Sequence, residues 1–335
     1  MGTEKSESKK LIPVYLEQLF LERTDKNHYV RMPEILEYLE DKGIYADRRT
    51  IYSAISLLGL TGFDIEGVQE KGGYKYHLAQ RKFNTNELKV MIDSIASSKY
   101  LTERKSKELI NKIKSLGTKY DSEMLNRGVL VGNRIKSMND SVLKNLDVIY
   151  YAIANNRQIT FQYTKWNALE KKLEPSKKGV LYQVSPFAIT LNDNSYYVVC
   201  HYNDSKALYH FRVDKMIAIQ VSENERSGIE LFRSFDVSEY QKKTFGMFSG
   251  KEQTVRIQCT KNLAGVFIDR FGTDVIIRPD YDCGDSNHVR ITIDVNTSPQ
   301  FYAWIFSLGK DVKILAPESV IDEFKKQMES VVSNY

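Results

Sequence analysis

The stretch "PEILEYLEDKGIYADRRTIYSAI" (Pro33–Ile55) decides how the first eighty residues fold. Proline is tolerated in the first turn of a helix and glycine commonly ends one, so Pro33 and Gly43 predict a helix from about Met32 to Asp41. Asp47 can cap a second helix, in which Ile51, Ala54, Ile55 and Leu58 fall on one face at 100° per residue. Arg49, Tyr52, Ser53 and Ser56 are left together on the opposite face. Such a helix, short and reached through a turn, has the form of one that enters a DNA groove.

Working outward, "KLIPVYLEQLFLER" predicts an earlier helix with Leu11, Tyr15 and Leu19 at helical spacing, its apolar stripe widened by Val14, Leu16 and Phe20. Downstream, "FDIEGV" (Phe63–Val68) and "GYKYHL" (Gly73–Leu78) read as strands joined by "QEKGG", whose glycines permit a tight reversal. Helix, helix, turn, helix and hairpin is the order of a winged helix-turn-helix.

At 335 residues the chain predicts two or three domains. No run of 18 apolar residues occurs and "MGTEKSESKK" lacks the apolar core of a signal peptide, so a cytoplasmic protein without membrane contact is expected. Cys200, Cys259 and Cys283 form no Cys-x-x-Cys pair, and reduced, mostly buried thiols are expected of them. The net charge of +5 is uneven along the chain. Residues 1–80 carry 11 basic and 13 acidic side chains (11 − 13 = −2), whereas 81–145 carry 14 and 7 (14 − 7 = +7). The second segment can therefore attract polyanions, although a solvated helical face is the commoner cause of such a run.

Residues 81–156 read as helical, through "NTNELKVMIDSIASS", "TERKSKELINKIKSLG" and "NDSVLKNLDVIYYAIANN", the last capped by Asn139 or Asp140. From Gln158 to Val221 the pattern turns to short strands ("QITFQY", "VLYQVS", "FAITL", "SYYVVCHY", "ALYHFRV", "MIAIQV"), which predict a small antiparallel barrel rich in tyrosine. From Gln253 to Val332 the order is βαββαβ with a further helix, as in a ferredoxin-like sandwich. Ser298, Pro299 and Gly309 there supply a full set of helix boundary signals.

These parts, in this order, resemble the WYL-domain transcription regulators of bacteria. "RTIYSAI" (Arg49–Ile55) is similar to the family's recognition-helix pattern, and Gly72, Gly73 and Tyr74 to the end of its wing. "FQY" (Phe161–Tyr163), "SPFAI" (Ser185–Ile189), "YYV" (Tyr196–Val198) and "HFRVDKM" (His210–Met216) are similar to the WYL motifs, and "WIFSLGKDVKILAPES" to the C-terminal WCX extension. Departures are Tyr196 for Trp, Val198 for Leu, Lys215 for the second Arg of its strand, and Ser53 and Ala54 where the family commonly has Arg and Asp.

The resemblance implies an α+β, multidomain chain. Its parts would be a winged helix-turn-helix (9–80), a helical linker (81–156), a small SH3/Sm-like WYL β-barrel (157–225) and a ferredoxin-like WCX domain (250–333). It further implies a homodimeric regulator, in which Arg48, Arg49, Thr50, Tyr52, Ser53, Ser56, Lys71 and Lys75 meet double-stranded operator DNA. A basic, aromatic barrel pocket for an anionic nucleotide or oligonucleotide would be lined by Tyr163, Ser185, Tyr197, His210, Arg212 and Lys215. The residue types fit these roles. Arginine can pair with guanine O6 and N7, short hydroxyls reach phosphates, and tyrosine with a cation suits stacked bases and phosphate. A plain salt bridge from Arg212 to Asp214 or Glu174 on a structural barrel is the alternative for that residue.

No histidine pair has metal spacing, and neither a phosphate-binding glycine loop nor a nucleophile elbow occurs; no cofactor and no enzymatic activity are expected. "RPDYDCGDSNH" (Arg278–His288) reads as a polar turn between strands. The competing reading of the chain is an accessory protein that grips single-stranded RNA or DNA with the barrel and the basic linker.

Overall fold

Asp47 does cap the helix at the centre of this reading: its carboxylate accepts from Thr50 N at 2.9 Å. The computed structural model describes residues 9–126, 141–203, 205, 208–233, 237–246, 250–281 and 287–335, which divide into two units, Met1–Asp140 and Ser141–Tyr335. Antiparallel sheets and helices alternate through both.

In the first unit α1 (Ile12–Arg23), β1 (Val30–Arg31), α2 (Met32–Asp41) and α3 (Arg48–Leu60) lead into β2 (Ile65–Glu70) and β3 (Gly73–Leu78). The apolar face of α1 is Ile12, Leu16, Leu19 and Phe20, each at most 1% exposed, whereas Leu11 and Val14 face solvent. The stripe expected through Leu11 and Val14 is therefore rotated, because Ile12 and Phe20 fill the core that Ile35, Leu39, Ile51 and Leu58 share. Strand β2 runs two residues beyond the expected end and Glu70 pairs with Gly73, so the hairpin expected as the wing turns on Lys71 and Gly72 alone. Gly72 (φ 109°) and Gly73 (φ 126°) take backbone angles that a side chain would resist. Three strands form the order β1-β3-β2.

Helices α4 (Thr85–Ser97), α5 (Glu103–Lys114) and α6 (Ser122–Asn126) complete this unit around Leu88, Ile92 and Leu125. Asn84 caps α4 by accepting from Glu87 N at 3.0 Å. The stretch "DSEMLNRGVLVGNRIKSM" between the second and third expected helices, whose pattern is ambiguous, lies mostly outside the described residues, as do Asn139 and Asp140.

The second unit begins with α7 (Val142–Ala154), which packs on the barrel; the helical stretch expected at 81–156 is thus shared between the two units. Buried Asn145 on α7 donates to Val213 O (3.1 Å) and Met216 O (2.9 Å). The strands of the expected barrel, which form one six-stranded antiparallel sheet, are β4 (Arg157–Asn167), β5 (Lys172–Pro175), β6 (Leu181–Asn192), β7 (Ser195–His201), β8 (Leu208–Arg212) and β9 (Met216–Glu225). Their order is β5-β4-β6-β7-β8, with β9 also paired to β4. "VLYQVS" and "FAITL" are one strand rather than two: Pro186 lacks an N–H to pair, and the ladder shifts register there instead of stopping.

Two short helices, α8 (Ile229–Arg233) and α9 (Val237–Lys243), precede β10 (Lys251–Thr260), α10 (Ala264–Phe271), β11 (Ile276–Pro279), β12 (His288–Thr297), α11 (Pro299–Ser307), β13 (Val312–Ala316) and α12 (Glu318–Val332). The antiparallel sheet order is β11-β12-β10-β13, and its core joins Val255, Ile257, Ile291, Phe267 and Phe301. Ser298 caps α11 through Phe301 N, with Pro299 in the first turn. Among the described residues no helix is long and apolar enough to cross a membrane.

Candidate nucleic-acid interface and barrel site

The cap and the apolar face of α3 determine what its other face shows. With Ile51, Ala54 and Leu58 buried, Arg48, Arg49, Tyr52, Ser53 and Ser56 are exposed together. Among the described residues no carboxylate lies within ion-pair distance of Arg48 or Arg49. Thr50 is half-buried, and its side chain bonds the capping Asp47, whose carboxyl the Thr50 backbone and side-chain bonds hold below the usual range. Tyr52 lies near Tyr76 on β3, and burial, with the Tyr52 hydroxyl as a lesser cause, pushes the Tyr76 phenol up to about 12.

In the wing, Lys71 is exposed at the turn, but Lys75 is engaged. Its Nζ lies 3.3 Å from Glu70 Oε1 and 4.4 Å from the Tyr29 ring centre, and Arg31 meets the other oxygen of Glu70 at 2.7 Å. One carboxylate thus neutralises much of the positive charge that the wing carries.

In the barrel, five rings cluster: Phe161, Tyr163, Tyr182, Tyr202 and Phe211. Neighbouring centroids are 5.3–5.6 Å apart in the Phe161–Tyr182, Tyr182–Phe211 and Tyr182–Tyr202 pairs. Arg212, Tyr197 and Tyr163 meet at the edge of this cluster. Arg212 pairs across the ladder with Tyr197, and its backbone N–H donates to Tyr163 Oη at 3.2 Å. Burial pushes the Tyr163 phenol up to about 12 and raises Tyr197 as well.

Strand β8 ends at Arg212, and Val213–Lys215 form a 3-10 turn, so Asp214 does not continue the strand. It folds back instead, and Arg212 donates to both of its oxygens (Nε to Oδ1 3.1 Å, Nη2 to Oδ2 2.8 Å). That bond holds the Arg212 pKa above its ordinary value. The alternative reading of Arg212, a salt bridge to Asp214, is therefore present in the structure. It leaves 37% of the Arg212 side chain open to solvent.

The other residues expected at this pocket are placed differently. Lys215 is half-buried in the same turn, its carbonyl accepting from Thr164 Oγ1 at 2.9 Å. Ser185 is buried toward the opposite end of β4, where its Oγ accepts from Gln158 Nε2 (3.1 Å) and Ser227 N (2.9 Å). It does not join Tyr163 and Arg212, because the strand pairing brings it beside His201. His210 shares a face of β8 with Arg212 but stacks on Tyr240 of α9 at 4.8 Å, and burial lowers its pKa to about 4. It is covered rather than presented.

The sequence reading missed Lys177, whose Nζ lies 5.7 Å from the Tyr182 ring centre. Lys177 (φ 47°) and Lys178 (φ 56°) both take left-handed backbone angles, and the only local signal is Gly179 behind them. Among the described residues no cluster of three His, Cys, Asp or Glu side chains has the geometry to hold a metal. Cys200 and Cys259 are buried free thiols, while Cys283 lies outside the described residues. Asp280 of the polar turn is buried against Arg290 (2.8 Å) and serves the fold.

Comparison with family models matches residues 144–221 to the WYL domain and residues 251–332 to the WCX domain. The first match starts inside α7, the helix that packs on the barrel. No curated protein gives a significant match. Among solved structures, Proteasome accessory factor B/C (PafBC) of Arthrobacter aurescens is similar at 14% identity and a TM-score of 0.28, covering 98% of this chain and 49% of that one. The chain thus spans about half the length of that protein, and at such a score the superposition supports no further comparison. The second unit therefore holds a WYL domain from Lys144 to Val221 and, after it, a WCX domain from Lys251 to Val332.

Proposed function

We propose that the chain is a homodimeric, DNA-binding transcription regulator, with a winged helix-turn-helix in the first unit, an SH3/Sm-like barrel and a ferredoxin-like extension. The observation that carries this reading is the exposed face of α3, where Arg48 and Arg49 stand beside Ser53 and Ser56 without a carboxylate partner among the described residues. Arg49 reads a guanine and the serines reach base edges or phosphates. Lys75 contributes less than its position in the sequence suggests, since Glu70 already holds it within the unit, and exposed Tyr52 adds a further contact. One such module makes few contacts, so two copies bind an inverted repeat with half-sites about one helical turn apart.

The barrel senses an anionic effector, a nucleotide or short oligonucleotide, at Arg212, Tyr197 and Tyr163, with Lys215 at the rim. Regulation requires the effector to bind the DNA-competent and incompetent states with different affinity. No catalytic step is assigned to the chain.

A mobility shift with duplex DNA from upstream of the chain's own gene, against random single strands, tests this. Arg49→Ala is expected to weaken specific duplex binding about tenfold or more, the scale of one arginine–guanine pair. Unchanged duplex binding in Arg49→Ala, with single-strand binding abolished by Arg212→Glu, would refute the regulator and favour an accessory protein for single-stranded nucleic acid.

A further inference from the structure

Within the first unit, where the end of α3, the exit of β3 and the end of α5 meet, lies a solvent-open cavity of about 600 Å³. That is the size of clefts that take small organic ligands. Its apolar wall is Leu21, Phe63, Leu78, Phe83 and Leu116. Of these, Leu21 (38%), Phe83 (37%) and Leu116 (49%) are substantially exposed, so apolar surface is left facing water around the opening.

Arg81 lies in the lining, and its guanidinium donates to three backbone carbonyls: Thr24 O at 2.9 Å, Leu21 O at 2.8 Å and Leu116 O at 3.1 Å. Carbonyls satisfy three of its five N–H groups without neutralising its charge. Among the described residues no carboxylate lies within ion-pair distance of it. Asp121 and Asp25 act on it only from farther away, and each is already engaged: Asp121 by Thr85 and Thr118, Asp25 by Asn27 and His28. Burial accordingly lowers the Arg81 pKa, the mark of a charge only partly compensated. Lys82 adds a second cation to the lining and Glu17 supplies its one carboxylate. The cavity therefore combines an apolar wall with an excess of positive charge.

We infer that this cavity binds an amphipathic monoanion, a carboxylate on an apolar body of roughly ten to fifteen heavy atoms. The carboxylate meets Arg81 and Lys82, and the body covers Leu21, Phe83 and Leu116. An occupant touches Thr61, Gly62 and Phe63, which follow α3, and Leu116, which follows α5, so it braces the one against the other. The site stands whether or not α3 reads DNA, and it is separate from the barrel.

Isothermal titration of the full chain with decanoate, kept below its micelle concentration, tests the assignment against decyltrimethylammonium as the cationic counterpart. Decanoate is expected to bind one to one, at least tenfold tighter than the cation. Lys82→Glu and Phe83→Ala, both at exposed side chains, are each expected to weaken it fivefold or more. Arg81→Lys is expected to weaken it as well, and circular dichroism separates that loss from unfolding caused by the released carbonyls. Absence of decanoate binding, equal binding of the cation, or an affinity within twofold of the parent in either Lys82→Glu or Phe83→Ala would overturn the inference.

Discussion

Replacing Asp214 by asparagine separates the two readings of the barrel. As the structure stands, Asp214 takes one hydrogen each from Nε and Nη2 of Arg212, so a phosphate that uses the guanidinium competes with a bidentate carboxylate for its charge. Hydrogen bonds to charged groups contribute about 1.5–3 kcal/mol when buried, and exposed ion pairs about 0.2–1 kcal/mol. With 37% of Arg212 and 20% of Asp214 exposed, this pair falls between those limits, near 1 kcal/mol after screening by solvent. The amide introduced by Asp214→Asn keeps one acceptor but no charge, and its weaker hold is expected to tighten an anionic ligand about fivefold. The turn itself should survive, because Asn145 holds the carbonyls of Val213 and Met216 independently of Asp214. Fluorescence anisotropy with a labelled, 5′-phosphorylated tetrathymidylate measures the change, and Arg212→Gln is expected to abolish the binding that Asp214→Asn improves. If Asp214→Asn leaves the affinity unchanged or lowers it, Arg212 is a structural ion pair and the barrel takes its ligand elsewhere or not at all.

Three other outcomes follow from particular contacts. Glu70→Gln releases Arg31 and Lys75 from the wing carboxylate, so duplex binding should tighten, and more at low than at high salt; an unchanged salt slope in the mobility shift would count against a wing that meets the backbone. Because burial holds His210 near 4, against an ordinary value of 6.5, the unfolded chain takes up the proton first as pH falls; stability should be full above about pH 6.5 and decline by up to about 3 kcal/mol as the pH drops toward 4, a slope that His210→Phe should remove in denaturant titrations. Asn145→Ala removes two buried hydrogen bonds, although Val213 O keeps the Met216 N–H, and should cost about 2 kcal/mol, seen by calorimetry as a fall of roughly 4–8 °C in the transition of the second unit; a fall under about 2 °C would mean that water replaces the amide.

Helix boundaries were the most legible part of the sequence, because each rests on local chemistry. Met32–Asp41 and the caps at Asp47 and Ser298 needed only Pro, Gly and side-chain oxygens at fixed offsets. The face of α1 was less legible: Leu11, Tyr15 and Leu19 fit a stripe as well as Ile12, Leu16 and Leu19 do, and only the tertiary core decides between them. The end of β8 at Arg212 was not legible, since the 3-10 turn that follows is announced by no glycine or proline. At the candidate sites the sequence could name residue types but not their engagements. The grip of Glu70 on Lys75 and the stacking of Tyr240 over His210 both join residues distant in sequence or on different elements. Neither leaves a mark in local spacing.

The amide of Asn145 has a mechanical meaning. It hangs the Val213–Lys215 turn, and with it the Arg212–Asp214 clasp, from α7, the first element after the boundary between the units. Opening that clasp therefore works against a turn anchored at two carbonyls rather than against a free loop.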